Sequence, residues 1–134
     1  MTRVARTVES RLGTEFGEAL RNMVERTPGA FAGVVSDEQG LAIDYAHIPS
    51  LIEGIDVQLL GAQLGLPLFR LHQTAAAQGI TAPTVMLETC THTLVASPVS
   101  EAFVVAMLLD HRANLGLALS AFARSRDTLG ALLA

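Results

Sequence analysis

Apolar residues return at helical spacing along the first part of the chain. Leu12, Phe16, Leu20, Met23 and Val24 share one side, while Arg11, Glu15, Glu18, Arg21 and Glu25 occupy the rest of the cylinder. This predicts an amphipathic helix from about Thr7 to Arg26, ended by Pro28-Gly29. The period then changes to two. Phe31, Gly33 and Val35 alternate with Ala32 and Val34, and both sets are apolar. A strand over Ala30–Ser36 with both faces covered follows from that pattern. Asp37-Glu38-Gln39-Gly40 is a hairpin turn, with Gly40 suited to a left-handed backbone. Leu41–Ala46 is the returning strand.

Pro49-Ser50 opens a second helix, and Ser50 with Glu53 makes the Ser-x-x-Glu capping box. The helix runs towards Gln78, where Gly79 can stop it. Leu51, Ile52, Ile55, Leu59, Leu60, Leu64, Leu66, Leu68, Phe69 and Leu71 wrap most of its circumference. A helix lying on one sheet needs a single apolar stripe, so one that is apolar nearly all round asks for a second partner. Pro67 cannot donate to the carbonyl of Gln63, which predicts a kink or a break near Gly65. Gly61 and Gly65, one turn apart, permit a close backbone approach.

Beyond Thr81-Ala82-Pro83 come strand-like runs at about Thr84–Thr89, Thr93–Ser97 and Ala102–Leu109, the last apolar on both faces. Asp110 is placed to cap a final helix from His111 to Leu133, with Ala113, Leu115, Ala118, Leu119, Phe122, Leu129, Leu132 and Leu133 on its apolar side. The predicted order is α-β-β-α-β-β-β-α. It describes an α/β (α+β) chain with a five-stranded, mostly antiparallel sheet and helices on both faces. No linker or repeat divides the 134 residues, so one domain over 1–134 is expected, with its core over about 10–133.

Composition sharpens this picture. Half the residues are apolar and only 16% are charged, against about 25% in an average globular domain, and mean hydropathy is +0.41. The longest apolar run, Ala102 to Leu109, is far short of the roughly 20 residues of a membrane span. No apolar segment follows the basic start, Met1 to Arg6, as a signal peptide requires. Burial of apolar surface in an assembly is the remaining explanation. The net charge is −4, all nine basic residues are arginine and aromatics are 4%, a balance that argues against nucleic-acid binding. The single cysteine, Cys90, leaves no intrachain disulfide and fits a reducing cytoplasm.

Chemistry-bearing residues are sparse. Glu88, Cys90 and His92 alternate, so an extended chain would aim all three one way, as a metal site or a Cys–His dyad would. Same-face neighbours on a strand stand roughly 6–7 Å apart, too far for one metal, and the stretch also has to turn. His47, His72 and His111 are scattered, with no ligand spacing between them. No phosphate-binding glycine loop occurs. Arg70 is a candidate arginine finger towards a bound GTPase, although a solvated or packed arginine is the more common state. Asp37, Glu38 and Asp44 are expected to form an acidic patch. Catalytic residues, cofactors and metals are therefore all expected to be absent.

Thr27-Pro28-Gly29-Ala30, Gly40-Leu41-Ala42-Ile43-Asp44-Tyr45, Ser97-Pro98-Val99-Ser100-Glu101 and Ala113-Asn114-Leu115-Gly116 stand in a definite order and spacing. In that order they resemble the roadblock/dynein light chain domain, over nearly the whole chain from about Ser10 to Leu133. The resemblance implies a profilin-like or longin-like three-layer sandwich and a homodimer built from the second helix and the strand after it. It also implies a non-enzymatic module. Similar bacterial members regulate a small Ras-like GTPase in polarity or motility, sometimes as a GTPase activator of the MglB type. Eukaryotic members act as dynein subunits or scaffold GTPases at membranes. Pro67 departs from the pattern and leaves a different dimer or a heteromeric assembly open.

The interface so implied comprises Ile52, Ile55, Leu59, Leu60, Leu64, Leu68, Phe69 and Leu71 on the helix, with Val85, Met86 and Leu87 on the strand. The expected partners are a second copy, a small GTPase or another roadblock protein. An adaptor without a GTPase, and an enzyme or metal site at Cys90 and His92, stay open as alternatives.

Overall fold

A computed structural model describes residues 7–81 and 83–133. The basic start of the chain and Ala82 lie outside them. The elements are β1 (Glu9–Ser10), α1 (Glu15–Arg26), β2 (Ala30–Asp37), β3 (Ala42–His47), α2 (Gly54–Ala77), β4 (Val85–Glu88), β5 (His92–Pro98), β6 (Phe103–Asp110) and α3 (Leu115–Leu132). All six strands join one sheet in the order β1-β3-β2-β6-β5-β4, and every pairing is antiparallel. Helices α1 and α3 cover one face and α2 the other. The three layers match expectation, but the sheet has six strands rather than five and a strand precedes the first helix. That strand pairs Glu9 with His47 and Ser10 with Ala46, too short a run to leave a periodic trace in sequence.

The first helix accordingly starts at Glu15, not Thr7. Gly13 turns the chain at φ +64°, and Thr14 is the cap, its hydroxyl accepting from the Gly17 amide at 3.1 Å. At the other end the Thr27 hydroxyl donates to the Met23 carbonyl at 2.7 Å. The last helix is capped by Asn114, which accepts from the Leu117 amide at 3.1 Å, and not by Asp110, which closes β6.

Two cores flank the sheet. Leu20 and Met23 of α1 meet Phe122 and Leu129 of α3 over Val35, Val95, Val105 and Met107. Gly33 makes room there, since a Cβ at that position would stand 2.6 Å from the Met23 methyl. On the opposite face Val57, Leu68 and Phe69 of α2 lie on Ala32, Val34, Val104 and Ala106. Fully buried side chains such as Leu20 and Val57 each contribute roughly 1.5–3 kcal/mol by leaving water. Phe31 departs from simple alternation. A bulge between Ala30 and Ala32 turns it towards the α2 side, with Ala32 and Val34, rather than alongside Gly33 and Val35.

The second helix begins at Gly54 with Glu53, not Ser50, at its N-cap, so Ser50 does not hold the capping position that the spacing suggests. The chain turns over Ile48–Ile52 instead, held by the His47 ring 2.9 Å from the Ile52 carbonyl. The Tyr45 ring fills the space where a Cβ on residue 54 would sit. The helix passes through Pro67 without a break. Gln63 and Pro67 are both exposed, so water can serve the carbonyl that proline leaves unpaired. Gly61 and Gly65 do allow a close approach, made to this chain's own sheet. Ser36 donates its hydroxyl to the Gly61 carbonyl at 3.1 Å, and a Cβ on Gly65 would stand 2.7 Å from the Asp37 carbonyl oxygen.

Candidate functional site

The two sides of α2 differ sharply. Val57, Gly61, Gly65, Leu68, Phe69 and Ala75 are buried, and Ile52, Leu60 and Leu64 pack half-buried beside them. The outer side carries Ile55, Leu59 and Leu66 at exposures of 56%, 51% and 50%, with Leu71 also exposed. Their i, i+4, i+11 succession puts Ile55, Leu59 and Leu66 on one stripe. Of the residues singled out from sequence, Leu68 and Phe69 thus belong to the interior. Leu66, one of the apolar residues around the helix but outside the implied interface set, joins the outer stripe, and its spacing from Ile55 is a readable signal.

At the margin of the sheet β4 pairs only with β5. Its outer edge carries backbone groups with no strand partner among the described residues. Val85 turns into the core beneath α2, whereas Met86 and Leu87 are 44% and 57% exposed. An apolar open edge and an apolar helix side within one subunit are what strand addition and helix packing between chains require.

The other candidate groups disperse. Glu88 ends β4 and His92 begins β5, with exposed Cys90 at the turn between them. The His92 ring meets Phe31 edge-on at 5.4 Å, and its Nδ1 lies 2.8 Å from the Thr91 hydroxyl. No group of three metal-binding side chains occurs among the described residues. His111 lies 3.2 Å from both the Thr91 carbonyl and the Asp110 carboxylate. The Asp110 carboxyl is held below its ordinary range, first by the Arg112 amide that it accepts and then by the nearby charges of His111, Arg112 and His92. Arg70 and His72 line an open cleft of about 560 Å³ with Glu38 and Glu101.

The acidic patch does not form. Asp44 is fully buried and accepts from the Leu12 amide at 3.1 Å, the Thr14 hydroxyl at 2.6 Å and its neighbour Tyr45's amide at 2.8 Å. It is a tether for the segment entering α1. Asp37 is spent on the hairpin, accepting from the Gln39 and Leu41 amides at 2.9 Å each.

No family model matches the sequence, and no curated protein does. Solved structures do. MglB of Myxococcus xanthus superposes with a TM-score of 0.76 at 18% identity, over 92% of this chain and 98% of that one. A roadblock/LC7 domain from Streptomyces avermitilis gives 0.71 at 18% identity, over 87% and 95%. The fold is that of the roadblock/LC7 domain. A third solved structure, the gliding protein mglB of Thermus thermophilus, gives 0.73 at 15% identity, over 86% of this chain and 85% of that one. The roadblock fold spans almost the whole described chain, and no helix among the described residues is long and apolar enough to cross a membrane.

Proposed function

We propose that this chain is a non-enzymatic roadblock module that pairs with a second copy through α2 and β4 and offers the resulting platform to a small Ras-like GTPase. The observation that carries this reading is that one chain presents both an apolar stripe, Ile55, Leu59 and Leu66 on α2, and an open, apolar strand edge at β4. Pairing two β4 edges extends the sheet across both subunits and brings the two α2 stripes together. Burying those side chains is favourable at roughly 25 cal/mol per Å² of apolar surface. The likeness to the MglB structures supports a GTPase partner over an unrelated one, and the sequence resemblance points the same way.

The interface is tested at exposed positions. Leu60 and Leu64 lean on the core, so acidic residues there would disturb folding. Leu59→Asp combined with Leu66→Asp alters the outer stripe alone. Light scattering after gel filtration should find the unaltered chain as a dimer and the variant as a folded monomer. A dimer of unchanged affinity in the variant refutes the interface. Capture from the native lysate with a non-hydrolysable GTP analogue or with GDP tests the partner. Enrichment of a small GTPase in one nucleotide state supports the reading, and nucleotide-independent recovery of roadblock proteins alone overturns it in favour of an adaptor.

A further inference from the structure

The face opposite α2 holds a separate feature. Between α1 and α3 lies a pocket of about 100 Å³, floored by Met23 and walled by Asn22, Arg26, Arg124, Ser125 and Thr128. Its lining includes two arginines, both exposed, and no acidic residue. The chain is acidic overall, and most of its other described arginines are engaged. Arg21 bonds Glu25 at 3.1 Å, Arg112 lies 3.8 Å from Asp110, Arg126 donates to Thr84 and Ser97, and Arg11 stands over the Tyr45 ring at 5.8 Å. Arg70 lines the α2 cleft with Glu38 and Glu101. Arg26 and Arg124 are the two described arginines that line one pocket together with no acidic residue.

The dipole of α1 accounts for Arg26, which lies in its last turn. It does not account for Arg124, in the interior of α3. Two like charges sharing one pocket repel unless an anion lies between them, and guanidinium forks match oxyanion geometry. The Asn22 amide and the Ser125 hydroxyl add neutral donors. Thr128 commits its proton to the Arg124 carbonyl at 3.1 Å, so it offers only lone pairs. The volume suits an ion of a few heavy atoms rather than a nucleoside. Two arginines also fall well short of the roughly four to eight cations that mark a lipid-binding cluster.

We infer that this pocket binds a phosphate dianion, taken up as inorganic phosphate or as the phosphoryl group of a small monoester. The test is a ¹H–¹⁵N titration of the full chain at fixed ionic strength with inorganic phosphate, phosphoserine or acetate. Phosphate should give saturable shifts centred on Asn22, Arg26, Arg124 and Ser125. Arg26→Gln and Arg124→Gln should each weaken binding about tenfold, the loss of one charge-assisted contact. Arg21→Gln, an exposed and already paired arginine on the same helix, should leave it unchanged. Phosphoserine binding as tightly as phosphate assigns the site to monoesters, and weaker binding assigns it to the free ion. The inference is overturned by non-saturating shifts spread over the surface, by equal losses in Arg21→Gln, or by acetate binding as well as phosphate.

Discussion

Asp44 offers the most exacting check on how this fold is held. Its carboxylate is fully buried and accepts three short bonds, at 3.1, 2.6 and 2.8 Å, two of them from the segment that joins β1 to α1. In Asp44→Ala the Leu12 amide and the Thr14 hydroxyl lose a charged acceptor. Bonds to a charged group are worth about 1.5–3 kcal/mol each, and the substitution takes the acceptor from both of these donors, so we expect a loss of about 3–5 kcal/mol. For a chain of this size that lowers the melting temperature by about 10–18 °C. Thr14→Ala removes both the α1 cap and one donor to Asp44 and should cost about 2–4 kcal/mol. The two substitutions share a bond, so a double-mutant cycle in urea should return at least about 1 kcal/mol of coupling. Glu38→Ala, at the exposed hairpin tip, serves as the control and should change stability by no more than about 0.5 kcal/mol. A loss below about 1 kcal/mol for Asp44→Ala, or additive single effects, would refute the tether.

Pro67→Ala should stabilise the subunit by about 2 kcal/mol, because proline in a helix interior costs about 3 and returns up to about 1 through a stiffer unfolded chain. Urea unfolding of the monomeric Leu59→Asp/Leu66→Asp background checks this, and a destabilised variant contradicts it. Asp110 gives a pH-dependent effect. Its folded carboxyl lies below its ordinary value of 3.8, so its stabilising contribution is present above that value and is lost as pH falls through the folded one. The stability gap between the unaltered chain and Asp110→Asn should therefore be open at neutral pH and close in acid below 3.8; an equal gap in both conditions contradicts the assignment.

Much of this was legible from residue order. The alternation over Ala30–Ser36, the glycine at the hairpin and the all-round apolar second helix each identify an element whose type the structure bears out. Local signals failed where tertiary contacts overrode them. Ser50 and Glu53 have the spacing of a capping box, but the Tyr45 ring against Gly54 and the His47 bond to Ile52 delay the helix. Phe31 has the parity of Gly33, but a bulge moves it to the other face. Asp44 looks like a surface acid because its partners, Leu12 and Thr14, lie some thirty residues earlier. The outer stripe of α2 was only half legible. Apolar residues surround that helix, and which of them face inward depends on how Gly61 and Gly65 seat it on β2.

The two margins of the sheet are unequal, and this bears on how the proposed pairing through β4 would extend. Among the described residues β1 offers two residues at one margin and β4 offers four at the other. An antiparallel seam between two copies of β4 is self-complementary, so forming it consumes the longer margin of both subunits. Continued lateral growth would need a second margin long enough to template another chain, and a two-residue strand holds too few backbone groups for that. In the proposed β4-paired dimer, strand addition along the margins of the described residues would therefore close at a pair rather than run on into a fibre.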